Sequence, residues 1–93
     1  MPLRIRDAFG AIHYVLKNYD TALGYFRGAA RDINFSKNQE PEALATYYRH
    51  YGKCLRKLDR LYEAVEQFNN CKLAALKITI YEHPPIIRYV NFF

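Results

Sequence analysis

YDTALGYF (Tyr19–Phe26) and LYEAVEQF (Leu61–Phe68) carry one pattern twice: an aromatic or aliphatic residue, Ala three positions on, and Phe four positions after the Ala. Working outward from these stretches, the register continues. Gly10 aligns with Gly52, Leu16 with Leu58, Ala22 with Ala64 and Phe26 with Phe68, each pair 42 residues apart. Similar residues fall in the same register: Ile5 with Tyr47, Phe9 with Tyr51, Tyr19 with Leu61, Leu23 with Val65, Ala29 with Cys71. A fixed period of this size is the mark of stacked supersecondary units.

Each unit reads as two helices. Ile5, Phe9, Ile12 and Leu16 form one apolar stripe of the first unit, and Tyr19, Ala22, Leu23, Phe26, Ala29, Ala30 and Ile33 the other. In the second unit the stripes are Leu44, Tyr47, Tyr48, Tyr51, Leu55 and Leu58, then Leu61, Ala64, Val65, Phe68, Cys71 and Ala75. Spacings of three, four and seven place each set on one helix face. The stripes change phase at Asn18 and at Asp59-Arg60, the expected tight turns. SKNQEPE (36–42) separates the units, with Pro41 suited to a first helical turn, where its missing N–H is not needed. Glycine inside a helix costs about 1 kcal/mol relative to alanine. Gly10 and Gly52 at one place in both units therefore predict a close approach of paired helices, with Phe26 and Phe68 filling the wider gap one turn on. Gly24 and Gly28 predict a further close helix contact.

The second unit, with Tyr48, Tyr51-Gly52, Leu55, Ala64, Phe68 and Cys71, resembles the tetratricopeptide-repeat family. The first matches in part through Phe9-Gly10, Ala22, Phe26 and Ala29, with Arg6 and His13 where the pattern has an aromatic and Leu. The usual period is 34. Gly10 to Ala22 and Gly52 to Ala64 both keep a separation of 12, so the surplus lies between the hairpins. About one extra turn on each adjoining helix preserves the faces, and the chain so resembles the longer-period members. The fold expected is all-α: two stacked antiparallel helix hairpins in a short solenoid, with repeat 1 at about 3–37 and repeat 2 at about 41–82 of a domain spanning 1–83. A tail follows at 84–93.

Composition fits that reading. Ninety-three residues make one small domain; 51% hydrophobic and 25% charged content belongs to a globular chain. A net charge of +5 favours acidic partners. Cys54 and Cys71, with no C-x-x-C, read as buried free thiols of a reducing compartment, and a cytoplasmic location is expected. No apolar run is long enough to span a membrane, and the first 16 residues lack a signal-peptide cleavage site. His13, His50 and His83 share no metal spacing with one another or with a carboxylate. No phosphate loop, nucleophile elbow or zinc-protease motif occurs. The expectation is no enzyme, no metal and no cofactor.

One polar constellation remains. Arg49, Lys53, Arg56, Lys57 and Arg60 recur at helical spacing beside an apolar stripe. The family resemblance implies that the first helix of each unit lines a concave peptide-binding surface. It places Thr46, Arg49, Lys53, Arg56 and Lys57 there from unit 2, and Arg4, Asp7, Ala11, Tyr14 and Val15 from unit 1. Some members grip a C-terminal carboxylate with Lys, Arg and Asn; here the Asn has no counterpart. The reading is a protein-interaction scaffold or adaptor that holds an acidic or carboxylate-bearing peptide through Arg49, Lys53, Arg56, Lys57 and Tyr14. Its alternative is a self-assembling subunit of a homo-oligomer. Nucleic-acid binding comes third, since the aromatics sit at core positions rather than on a stacking platform. Pro84-Pro85 should stop any helix, and the apolar tail beyond is expected to be buried on its own chain or a neighbour.

Overall fold

Helices form where the stripes place them. The computed structural model describes residues 2–35 and 39–82, and the elements are α1 (Leu3–Val15), α2 (Tyr19–Phe35), α3 (Pro41–Lys57) and α4 (Leu61–Glu82). The tail at 84–93, and the burial expected for it, lie outside the described residues. All regular structure among the described residues is helical. α1 pairs with α2 and α3 with α4 as antiparallel hairpins, and α3 packs on both helices of the first hairpin. α2 and α3 each have 17 residues, against 13 in α1, so the helices that adjoin the inter-hairpin connection carry the extra turn. Pro41 occupies the first turn of α3, as the sequence predicts.

The two intra-hairpin turns are copies of one another. Lys17 and Asp59 both adopt the left-handed conformation, with φ of 65° and 59°. After α1, Asn18 N–H donates to the His13 carbonyl (2.8 Å) and Lys17 N–H to that of Tyr14 (3.0 Å). After α3, Arg60 N–H donates to Leu55 (2.9 Å) and Asp59 N–H to Arg56 (3.1 Å). This pair of bonds is a Schellman cap, which satisfies carbonyls left over at a helix end. The reversal thus falls one residue before Asn18 and on Asp59 itself.

The glycines also repeat, in a manner tighter than the spacing predicts. A Cβ on Gly10 would lie 2.5 Å from the Phe26 ring, and one on Gly52 would lie 2.6 Å from the Phe68 ring. The rings therefore rest on the glycines themselves instead of filling a gap one turn away. Gly24 and Gly28 behave otherwise. Nothing lies within 4 Å of a Cβ on Gly24, and Gly28 makes room for the Arg6 guanidinium, which reaches Asp32 (3.0 Å). The close contact expected there forms at Gly28, against the Arg6 side chain of α1, and not at Gly24.

The core joins Leu3, Ala22, Leu23, Phe26, Ala29, Tyr47, Tyr51, Cys54, Leu55 and Ala64, with Ala45, Cys71 and Ala74 beside it. Its centre is aromatic: Tyr51 stacks on Phe26 at 5.8 Å, and the buried Tyr47 hydroxyl donates to the Phe26 carbonyl (2.6 Å). The Cys54 thiol donates to the Tyr19 carbonyl (3.4 Å). The hairpins are further tied by Arg4–Glu40 (2.6 Å) and Arg27–Glu63 (3.5 Å), exposed pairs of small energetic worth.

Half of each unit's apolar pattern has a different fate from its counterpart. Tyr47, Tyr51 and Cys54 are buried against the first hairpin, yet their equivalents Ile5, Phe9 and Ile12 are exposed, as is Leu16. Leu23 is 5% exposed under the second hairpin, and its equivalent Val65 is 57% exposed. Phe26 is fully buried, whereas Phe68 is half-buried. The periodicity is right, but among the described residues no further unit packs on the outer faces of α1 and α4.

Candidate functional site

α1 and α3, the first helices of the two hairpins, lie side by side and frame a pocket of about 190 Å³ lined by Ala11, Tyr14, Val15, His50 and Lys53. Three of these, Ala11, Tyr14 and Val15, come from consecutive turns of α1 because positions three or four apart share a helix face. His50 and Lys53 answer them from α3 for the same reason.

The polar floor of this face is a hydrogen-bonded pair that spacing alone does not reveal. Asp7, nearly buried on α1, accepts a hydrogen bond from His50 Nδ1 at 2.8 Å. A buried carboxylate needs such a partner, since an unpaired buried charge is costly. With Nδ1 committed to Asp7, Nε2 is the second polar atom of the His50 ring. A signal for the pair in the sequence is the placing of Asp7 between Leu3 and Gly10 at helical spacing, on the buried side of α1.

The cations of the expected stripe divide. Lys53 lines the pocket, and its ammonium pKa is lowered by burial first and then by the nearby charges of Arg49 and Arg56. Arg49 is half-buried, and its charge also reaches Cys71 on α4. Arg56 is exposed and lies over the Phe68 ring at 5.8 Å, a cation–π contact. Its charge acts on Tyr14, whose hydroxyl pKa burial nevertheless raises. Lys57 is exposed. Arg60 is turned to Glu63 three residues on (2.9 Å). The structure thus brings Tyr14 and Lys53 together at one pocket, sets Arg49 and Arg56 close to Lys53, and leaves Lys57 on open surface. His13, half-buried, stacks on Tyr25 at 5.6 Å.

No three of His, Cys, Asp and Glu gather in metal-binding fashion among the described residues. No helix there is long and apolar enough to cross a membrane. What the fold and this face define is a short α-helical repeat protein, two hairpins stacked in a solenoid-like arrangement. Proteins of that class generically offer extended surfaces to other proteins. Set against protein-family models, curated proteins and solved structures, the sequence matches none.

Proposed function

We propose that this chain is a tetratricopeptide-like binding module, not an enzyme, and that it holds an acidic segment of another protein along the open side between α1 and α3. The observation that carries the reading is the position of Lys53: a cation kept partly out of water at the wall of a pocket, with two more cations near it. A cation at that wall offers an arriving carboxylate a charge-assisted hydrogen bond. Tyr14 and the apolar walls Ala11 and Val15 suit the stem of a peptide side chain, and His50 Nε2 adds a polar contact. Arg49, Arg56 and Lys57 extend the field that draws an acidic partner in. Buried free thiols at Cys54 and Cys71 fit work in a reducing compartment such as the cytoplasm.

Fluorescence anisotropy with a labelled Glu/Asp-rich peptide tests this. Binding should weaken with added salt, because exposed charges are screened over about 8–10 Å. Lys53→Met should weaken it about tenfold, the worth of roughly one charge-assisted hydrogen bond. The same variant should keep the helical circular dichroism of the parent. Equal affinity in the variant, or tighter binding of a single-stranded oligonucleotide than of the peptide, would refute the reading.

A further inference from the structure

The two ends of the stack carry the two halves of an interface that the molecule already contains. Inside the protein, Tyr47, Tyr51 and Cys54 of α3 are buried against Tyr19, Ala22, Leu23 and Phe26 of α2. Forty-two residues earlier than the α3 set stand Ile5, Phe9 and Ile12 on α1, followed by Leu16 at the place of Leu58. Their exposures are 46%, 42%, 54% and 61%. Forty-two residues later than the α2 set stand Leu61, Ala64, Val65 and Phe68 on α4. Leu61 and Val65 are also more than half exposed. One end therefore offers the inserting face of the internal contact, and the other end the receiving face.

We propose that a second copy of this chain docks its α1 face onto the α4 face of the first, in the register in which α3 packs on α2 within one molecule. One polar pairing favours this occupant. Tyr14 and Arg56 act on each other across the internal contact, and they are themselves 42 residues apart. In the docked pair, Arg56 of one copy takes the place of Tyr14 and meets Tyr14 of the other, so the same pairing returns with its sides exchanged. Arg27 and Glu63, which pair inside, are replaced by Asn69 and Thr21. Asp7 and His50 are replaced by Arg49 and Ala8. None of these three replacements opposes like charges. Ile5 and Ile12, at the places of Tyr47 and Cys54, carry no donor that would need a buried acceptor. The contact is heterologous, so it repeats along an open stack rather than closing as a two-fold dimer. It uses the end faces of the molecule and shares Tyr14 and Arg56 with the site between α1 and α3.

Sedimentation of the full chain from micromolar to millimolar concentration provides the test. The parent should rise in mass through a ladder of species. Ile12→Glu and Val65→Glu, both at exposed positions, should each be monomeric with unchanged helical circular dichroism. Their equimolar mixture should form a dimer and nothing larger, because each variant retains one intact half of the contact. A parent chain that stays monomeric at every concentration overturns the proposal, whether residues 83–93 cover a face or a different protein does. Association that survives in either variant alone also overturns it, since that is the behaviour of a two-fold contact or an unrelated one.

Discussion

Gly10 and Gly24 stand in neighbouring helices and have opposite reasons for being glycine. A methyl on Gly10 would meet the Phe26 ring at 2.5 Å, and Phe26 is wholly buried, with Tyr51 stacked against it. The ring has nowhere to go. Gly10→Ala should therefore cost about 1–3 kcal/mol by overpacking, which outweighs the roughly 1 kcal/mol of helix propensity that alanine brings. Gly52→Ala makes the same clash with Phe68, but that ring is half-buried and can yield, so its penalty should be the smaller of the two. Gly24→Ala meets nothing and should stabilise by about 0.5–1 kcal/mol. Urea unfolding of the three variants gives the order directly. A stabilised Gly10→Ala would mean that the ring does not rest on the glycine.

At the scale of the element, the turns carry a reserve of stability. Lys17 and Asp59 hold the left-handed conformation that closes α1 and α3, a place where helices most often use glycine. A lysine Cβ is strained there, while aspartate tolerates it better. Lys17→Gly should raise stability by about 0.5–1 kcal/mol, and Asp59→Gly by less. A thermal melt checks both, since about 1 kcal/mol moves the midpoint by roughly 4–8 °C in a domain of this size. A fall in Lys17→Gly would show that the lysine side chain does more than cap. The hairpins were legible because Gly, Ala and Phe recur in register, and those residues set how closely two helices meet. The turns were legible to within a residue, because a phase change marks where a stripe ends but not which residue turns left-handed. The covered face of α1 was not legible. Ile5, Phe9, Ile12 and Leu16 share a face, yet periodicity names residues that lie together and not whether a neighbour covers them.

For the whole molecule, the candidate site was half legible. Tyr14 and Lys53 come from the groove positions that the tetratricopeptide resemblance implies, but His50 escapes, because its tie to Asp7 is a contact between units rather than a spacing within one. The core chemistry makes a stronger statement about the molecule as a unit. Cys54 is pushed up to about 11 by burial first and then by the Asp20 charge, against the pull of Arg27. Burial raises Cys71 as well, and raises Tyr47 far above the usual phenol value, with Tyr51, Tyr48 and Asp7 adding to it. All three groups are neutral in the fold and ionise more readily in the unfolded chain. Their contribution is whole below the unfolded thiol pKa of about 8.5 and is lost as pH rises through the folded values, at up to about 1.4 kcal/mol per pH unit for each ionising thiol. Lys53 works the other way: its lowered pKa lets stability recover as the ammonium loses its proton below the ordinary 10.5. One lysine opposes two thiols and a phenol, so the thiols dominate. The urea midpoint should be level from pH 7 to about 8.5 and then fall steadily toward pH 10. A Cys54→Ala, Cys71→Ala double variant should start lower, because it leaves cavities, but should decline less steeply over the same interval. A midpoint that stays level to pH 10 in the parent chain would mean that these groups open to solvent far more often than their burial requires.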